Sequence, residues 1–143
     1  SNLYLFTLRD DLPLVLAQPK APQTTTIQRP VDNQAQITQI RSALGEDRFY
    51  ANHGATIGDL AQLLAIAEHK LRAIINQELG YRNFNQFLNE YRIEEASQRL
   101  INEPGLPIIS IALDIGFKSL SSFNKAFKDK HQQTPSEYRA STA

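Results

Sequence analysis

The sequence offers few groups for covalent chemistry. It has no cysteine, which excludes a thiolate metal site, a redox pair and a Cys nucleophile. His53, His69 and His131 are remote in sequence, so His69 has no second ligand at helical spacing and no metal is expected. There is no His-Glu-x-x-His, no Gly-x-Ser-x-Gly and no glycine-rich phosphate loop, so neither an enzyme nor a cofactor is expected. What remains are polar side chains that match planar hydrogen-bonding edges. Arg72 carries a guanidinium fork suited to O6 and N7 of guanine, Asn124 an amide suited to adenine, and Lys125 a donor suited to guanine, with Ser121 beside them. Lys118, Ser119, Ser122 and Lys128 suit phosphate contacts, which position a duplex without reading it.

Helices must present these groups. With Leu71, Ile74 and Ile75 turned inward on a helix over about 68–79, Glu68, His69, Arg72, Ala73 and Asn76 face outward. With Phe123 and Phe127 inward on a helix over about 119–130, Leu120, Ser121, Asn124 and Lys125 face outward, and Leu120 can meet a thymine methyl. The two helices belong to stretches that repeat about 51 residues apart. Leu60-Ala61, Leu64-Ala65-Ile66, Leu71 and Ile75 parallel Ile111-Ala112, Ile115-Gly116-Phe117, Phe123 and Phe127. Each is a small residue inside one helix, a tight turn, and a second helix with one apolar face, which is helix-turn-helix logic. Between them about 20 residues, Asn83 to Asn102, form a helix of about 30 Å, close to the roughly 34 Å between successive major grooves on one face of B-DNA.

Caps set the boundaries. Thr56 with Asp59, Asn83 with Gln86, and Thr134-Pro135-Ser136-Glu137 open helices as capping pairs, and Ser119 is an N-cap. Pro107 is expected in the first turn of its helix, and Gly80 where a left-handed residue ends another. Ile37, Ile40, Arg41 and Leu44 mark a further helix ending near Gly45. The fold class is therefore all-α: two helix-turn-helix units joined by a long connecting helix, about seven helices in all.

Four of the seven prolines lie in the first 30 residues, so residues 1–35 read as a linker and 36–143 as the folded domain, with Leu3 to Leu8 able to form a short strand. The chain starts at Ser1-Asn2 without Met, which reads as an internal or tagged fragment, and nothing in it is apolar enough to span a bilayer. Formal net charge is zero, but from Phe117 to Arg139 five basic residues stand against two acidic ones. Glu90, Glu94, Glu95 and Glu103 gather on or beside the connecting helix and are expected on a face turned away from DNA.

Residues from about 56 to 139 resemble the DNA-binding domain of the AraC/XylS family of bacterial transcription regulators. The resemblance rests on Ile111-Ala112, Gly116-Phe117, Ser119, Phe123, Ala126-Phe127-Lys128, Thr134-Pro135 and Tyr138-Arg139, with Tyr91-Arg92-Ile93, Ala96 and Leu100 in the connecting helix. It implies that His69, Arg72 and Ala73 occupy positions that face bases. It also implies a sensor half, absent from this chain, that dimerises or binds a signal, and recruitment or blocking of RNA polymerase, activation being commoner than repression. Asn89-Glu90-Tyr91-Arg92 and Ile74-Ile75-Asn76 are similar to members whose other half is a membrane-embedded sensor; this part would then lie on the cytoplasmic side. The chain departs from the family at Ala67, where Ser is common, at Ser110 for an acidic residue, at Gln132 for a Gly, and at Ala65, where such turns often carry Gly.

The rival reading is a helical protein-interaction module without DNA binding. It explains the neutral charge but requires neither two similar units nor Arg72, Asn124 and Lys125 facing out; steep loss of DNA affinity with salt separates the two.

Overall fold

A computed structural model describes residues 32–143; the expected strand at Leu3 to Leu8 and most of the expected linker lie outside them. Among the described residues there are seven α-helices and no strand. They are α1 (Gln34–Gly45), α2 (Ile57–Leu64), α3 (Glu68–Ala73), α4 (Phe84–Asn102), α5 (Ile108–Asp114), α6 (Leu120–His131) and α7 (Pro135–Ser141). A 3-10 turn at Phe49–Ala51 joins α1 to α2, and a π turn at Ile74–Glu78 extends α3.

Four of these helices, α2, α4, α6 and α7, start where a polar side chain meets the free N–H groups of the first turn. Thr56 Oγ1 accepts from Asp59 N at 3.1 Å while Thr56 N donates to the Asp59 carboxylate at 3.0 Å, a full capping box on α2. Asn83 accepts from Gln86 N on α4, but the Gln86 side chain accepts from Arg82 N, one residue before the cap. Thr134 accepts from Glu137 N, with Pro135 at the first position of α7. Pro107 stands at the N-cap of α5 rather than in its first turn, its carbonyl accepting from Ser110 N and Ile111 N.

The second departure from expectation is the π turn. Periodicity predicts one α-helix through Leu79, yet Leu79 N bonds to Ile74 O, a five-residue step. Ile74 and Ile75 both stay in the core through the widened turn, as their spacing from Leu71 expects. It closes on Gly80 at φ 80°, with Tyr81 N reaching Ile75 O at 3.1 Å.

Two cores share α4. Its first half packs Phe87 and Leu88 with Ile40, Leu44, Leu60, Leu71 and Ile75. Its second half packs Ile93, Ala96 and Leu100 with Ile111, Ile115, Phe123 and Phe127. The end of α4 is held by Arg139 of α7, whose guanidinium donates to Leu100 O at 3.1 Å and Glu103 O at 3.2 Å, satisfying carbonyls the helix leaves open. Between the cores, Arg48 pairs bidentately with Glu95 at 2.7 and 2.8 Å and the Tyr50 hydroxyl donates to Glu95 at 2.8 Å. Burial pushes the Glu95 carboxyl up, but these hydrogen bonds and the Arg48 and Arg99 charges outweigh it and hold it below the usual carboxylate range.

Candidate nucleic-acid interface

Each α-hairpin is bent by the same hydrogen bonds. After α2, Ile66 N bonds to Ala61 O at 3.0 Å and Ala65 N to Gln62 O at 3.3 Å; after α5, Phe117 N bonds to Ala112 O at 3.0 Å and Gly116 N to Leu113 O at 3.1 Å. Both are Schellman turns with a left-handed residue, Ala65 at φ 55° and Gly116 at φ 104°. Ala61 and Ala112 are buried where the paired helices meet. The internal repeat is thus two copies of one bend, each delivering a second helix whose apolar side is sealed by Leu71 or by Phe123 and Phe127.

On α3, Glu68, His69 and Arg72 are exposed and Ala73 is half-buried; Asn76 is exposed on the π turn. Arg72 donates to Glu68 at 2.8 Å across one helical turn, both side chains being about half exposed, so its fork is steadied but reachable. The N-cap Ala67 makes no side-chain bond, so α3 begins uncapped. On α6, Leu120, Ser121, Asn124, Lys125 and Lys128 are exposed, and Lys125 pairs loosely with Asp129 at 3.5 Å. Ser119 accepts from Ser122 N at 3.1 Å while the Ser122 hydroxyl donates to Ser119 O at 3.0 Å, so both phosphate candidates also build the cap of α6.

Lys118, Ser119, Ser122 and Lys125 come together along a groove of about 970 Å³ between the two units. His69, Arg72, Ala73, Ser121, Asn124 and Lys128 are not in its lining. The facing wall is the start of α4 with Arg82, Asn83 and Gln86, and the floor includes Arg92 and Phe117. Sequence reading missed Arg82 and Arg92 as site residues. The signal for Arg92 was present: it stands four residues from Leu88 and four from Ala96, a cation inside the buried stripe of α4.

The four glutamates do not share one face. Glu90 lines the groove and pairs with Lys130, whereas Glu95 and Glu103 pair with Arg99 on other sides of the helix, and Glu94 is exposed. Positions 90 and 95 are about 140° apart around a helix, which is why one acidic face could not form. Among the described residues no cluster of three or more His, Asp or Glu could hold a metal ion, and no helix is long and apolar enough to cross a membrane.

A family model described as a helix-turn-helix domain matches residues 60–141. An uncharacterized HTH-type transcriptional regulator of Haemophilus influenzae is 31% identical over 87 residues, covering 61% of this chain and 28% of that protein. The C-terminal domain of AraT, a response regulator from Geobacillus stearothermophilus, superposes with a TM-score of 0.62 at 29% identity, over 71% of this chain and 84% of that one. A transcriptional regulator from Chromobacterium violaceum with an AraC-type DNA-binding domain shares the fold, with a TM-score of 0.65 at 23% identity over 78% of this chain and 97% of that one. The chain spans less than a third of the length of the curated relatives it matches.

Proposed function

The chain belongs to the AraC-type helix-turn-helix family of DNA-binding transcription regulators, and from that premise we propose that α3 and α6 read two successive major grooves of one duplex. The twin Schellman turns carry this reading, because they present two second helices in the same way from one rigid connector. On α3, His69, Arg72 and Ala73 face the bases, with Arg72 pairing to guanine. On α6, Ser121, Asn124 and Lys125 do so, while Lys118, Ser119, Ser122 and Lys128 hold phosphates. Residues 1–35 tether this domain to a region that dimerises or senses a signal, which the greater length of the relatives supports. The bound domain recruits RNA polymerase and activates transcription from the cytoplasmic side, and the whole protein is anchored in the membrane where the sensor half is embedded there.

Selection of sites from a random duplex pool at two salt concentrations tests the reading. Two enriched blocks about 10 base pairs apart are expected, with affinity falling steeply as salt rises. Arg72→Ala and Lys125→Ala each relax preference at one position, at about 1–3 kcal/mol, while Lys128→Ala weakens all sequences alike. Unchanged preference in both recognition-helix variants would refute the assignment of faces. A folded chain that enriches nothing at low salt would favour the protein-interaction reading.

A further inference from the structure

Arg92 is a buried cation without a counter-ion among the described residues. It is 8% exposed, and none of the ion pairs among the described residues includes it. A buried guanidinium ordinarily lies against a carboxylate, since an unpaired charge loses its hydration for nothing. Here Nε donates to Tyr50 O at 2.9 Å, Nη1 donates to Asn89 Oδ1 at 3.2 Å, and the guanidinium lies 5.4 Å from the centre of the Phe117 ring. Nη2 has no partner among the described residues, yet it is not among the atoms sealed from solvent. Its free donors therefore belong to the groove that Arg92 lines.

The rest of the groove is short of negative charge in the same place. Its two carboxylates, Glu90 and Asp129, are each tied to a lysine, Lys130 and Lys125. Arg82 and Lys118 on the walls have no carboxylate partner among the described residues. The N-termini of α4 and α6, at Asn83 and Ser119, both open into it. Gly116 lets the second turn close against this arginine, since a Cβ there would come within 3.0 Å of Arg92 Nε and 2.3 Å of Tyr50 O.

We propose that this groove grips the sugar-phosphate backbone crossing between the two major grooves, with Arg92 on its floor donating to a phosphate. The proposal rests on the two-groove reading above and adds the site that fixes the spacing. Arg92 is braced on the turn before the first unit and on Phe117 of the second, so one phosphate held there holds both units to the duplex at a set separation.

The test is a methylphosphonate scan of the selected duplex, which neutralises one backbone phosphate at a time, read by binding of the whole 143-residue chain. One or two positions between the blocks are expected to cost about tenfold in affinity, the effect of losing a charge-assisted hydrogen bond. Arg92→Gln is expected to lose about tenfold on the unmodified duplex, to become insensitive at those positions, and to enrich the same sequence. Arg82→Gln, on the exposed wall, is expected to show the same coupling more weakly, and it decides the matter where Arg92→Gln does not fold. Two enriched blocks with a flat scan between them would overturn this proposal and leave the two-groove reading standing. Full sensitivity retained in a folded Arg92→Gln, or in Arg82→Gln where that variant fails to fold, would also overturn it. No duplex binding by the folded chain would overturn both.

Discussion

The two bends of this molecule use the same pair of hydrogen bonds and differ in what surrounds them. Ala65 is exposed at a left-handed position, and its turn only has to redirect the chain. Gly116 is buried at an equivalent position, and its turn lies against the Tyr50 carbonyl and the Arg92 side chain. One motif therefore does two jobs. In the first unit it is a local corner that tolerates an L side chain at about 1–2 kcal/mol of strain. In the second it is also the joint through which that unit meets the chain ahead of the first.

Exchanging the two residues is the most direct way to break this contrast. Gly116→Ala puts a methyl 2.3 Å from Tyr50 O and adds the left-handed penalty, so a loss of about 3 kcal/mol or more is expected by urea denaturation. Ala65→Gly relieves strain but loosens the unfolded chain, and a net gain of about 0.5 kcal/mol is expected. If Gly116→Ala were tolerated as easily as Ala65 is, the second turn would not be a joint.

Most of this architecture was readable because it is written in local chemistry. Capping residues, turn residues and apolar periodicity each act within about four positions, so Thr56, Asn83, Ser119 and Thr134 marked their helices correctly and the repeat exposed both bends. What escaped depended on partners far along the chain. Arg92 meets Tyr50, which is 42 residues away, and Lys130 meets Glu90 across 40, and no spacing rule joins such pairs. The π turn escaped for another reason: Ile74 and Ile75 are buried as an ordinary helical period already expects, so the widened hydrogen-bond step leaves no mark in the apolar pattern. The residues proposed to face bases were legible as outward positions, and Arg72, Asn124 and Lys125 are exposed.

The caps of the two second helices sharpen the comparison at a smaller scale. Ser119 caps α6, whereas Ala67 leaves α3 without a side-chain bond at its start. Ser119→Ala is expected to cost about 1 kcal/mol, and Ala67→Ser to gain about 0.5–1 kcal/mol by supplying an acceptor for the free N–H groups of α3. Amide exchange at the first turn of each helix reads both effects locally. A slower α3 in Ala67→Ser without tighter DNA binding would separate helix order from recognition.

A last difference between the units is a pH dependence carried by the second. His131, at the end of α6, is packed between Phe127 and Tyr138, with ring centres 4.5 and 4.8 Å away, and its Nε2 lies 2.8 Å from Ser97 Oγ. Since the Ser97 hydroxyl donates to Ile93 O at 2.8 Å, it accepts from the His131 ring. Burial and then the neighbouring Lys130 charge push the imidazole down from its usual value, more than Glu94 and Glu90 raise it. Below about pH 6.5 the unfolded chain takes up a proton that the folded His131 still refuses, so stability is lost as pH falls from there through the lower folded value. Urea midpoints for the wild type are therefore expected to fall between pH 7.5 and 5.5, and His131→Gln is expected to flatten that fall. An equal slope in the variant would move the proton uptake to another group and leave the two units alike in this respect.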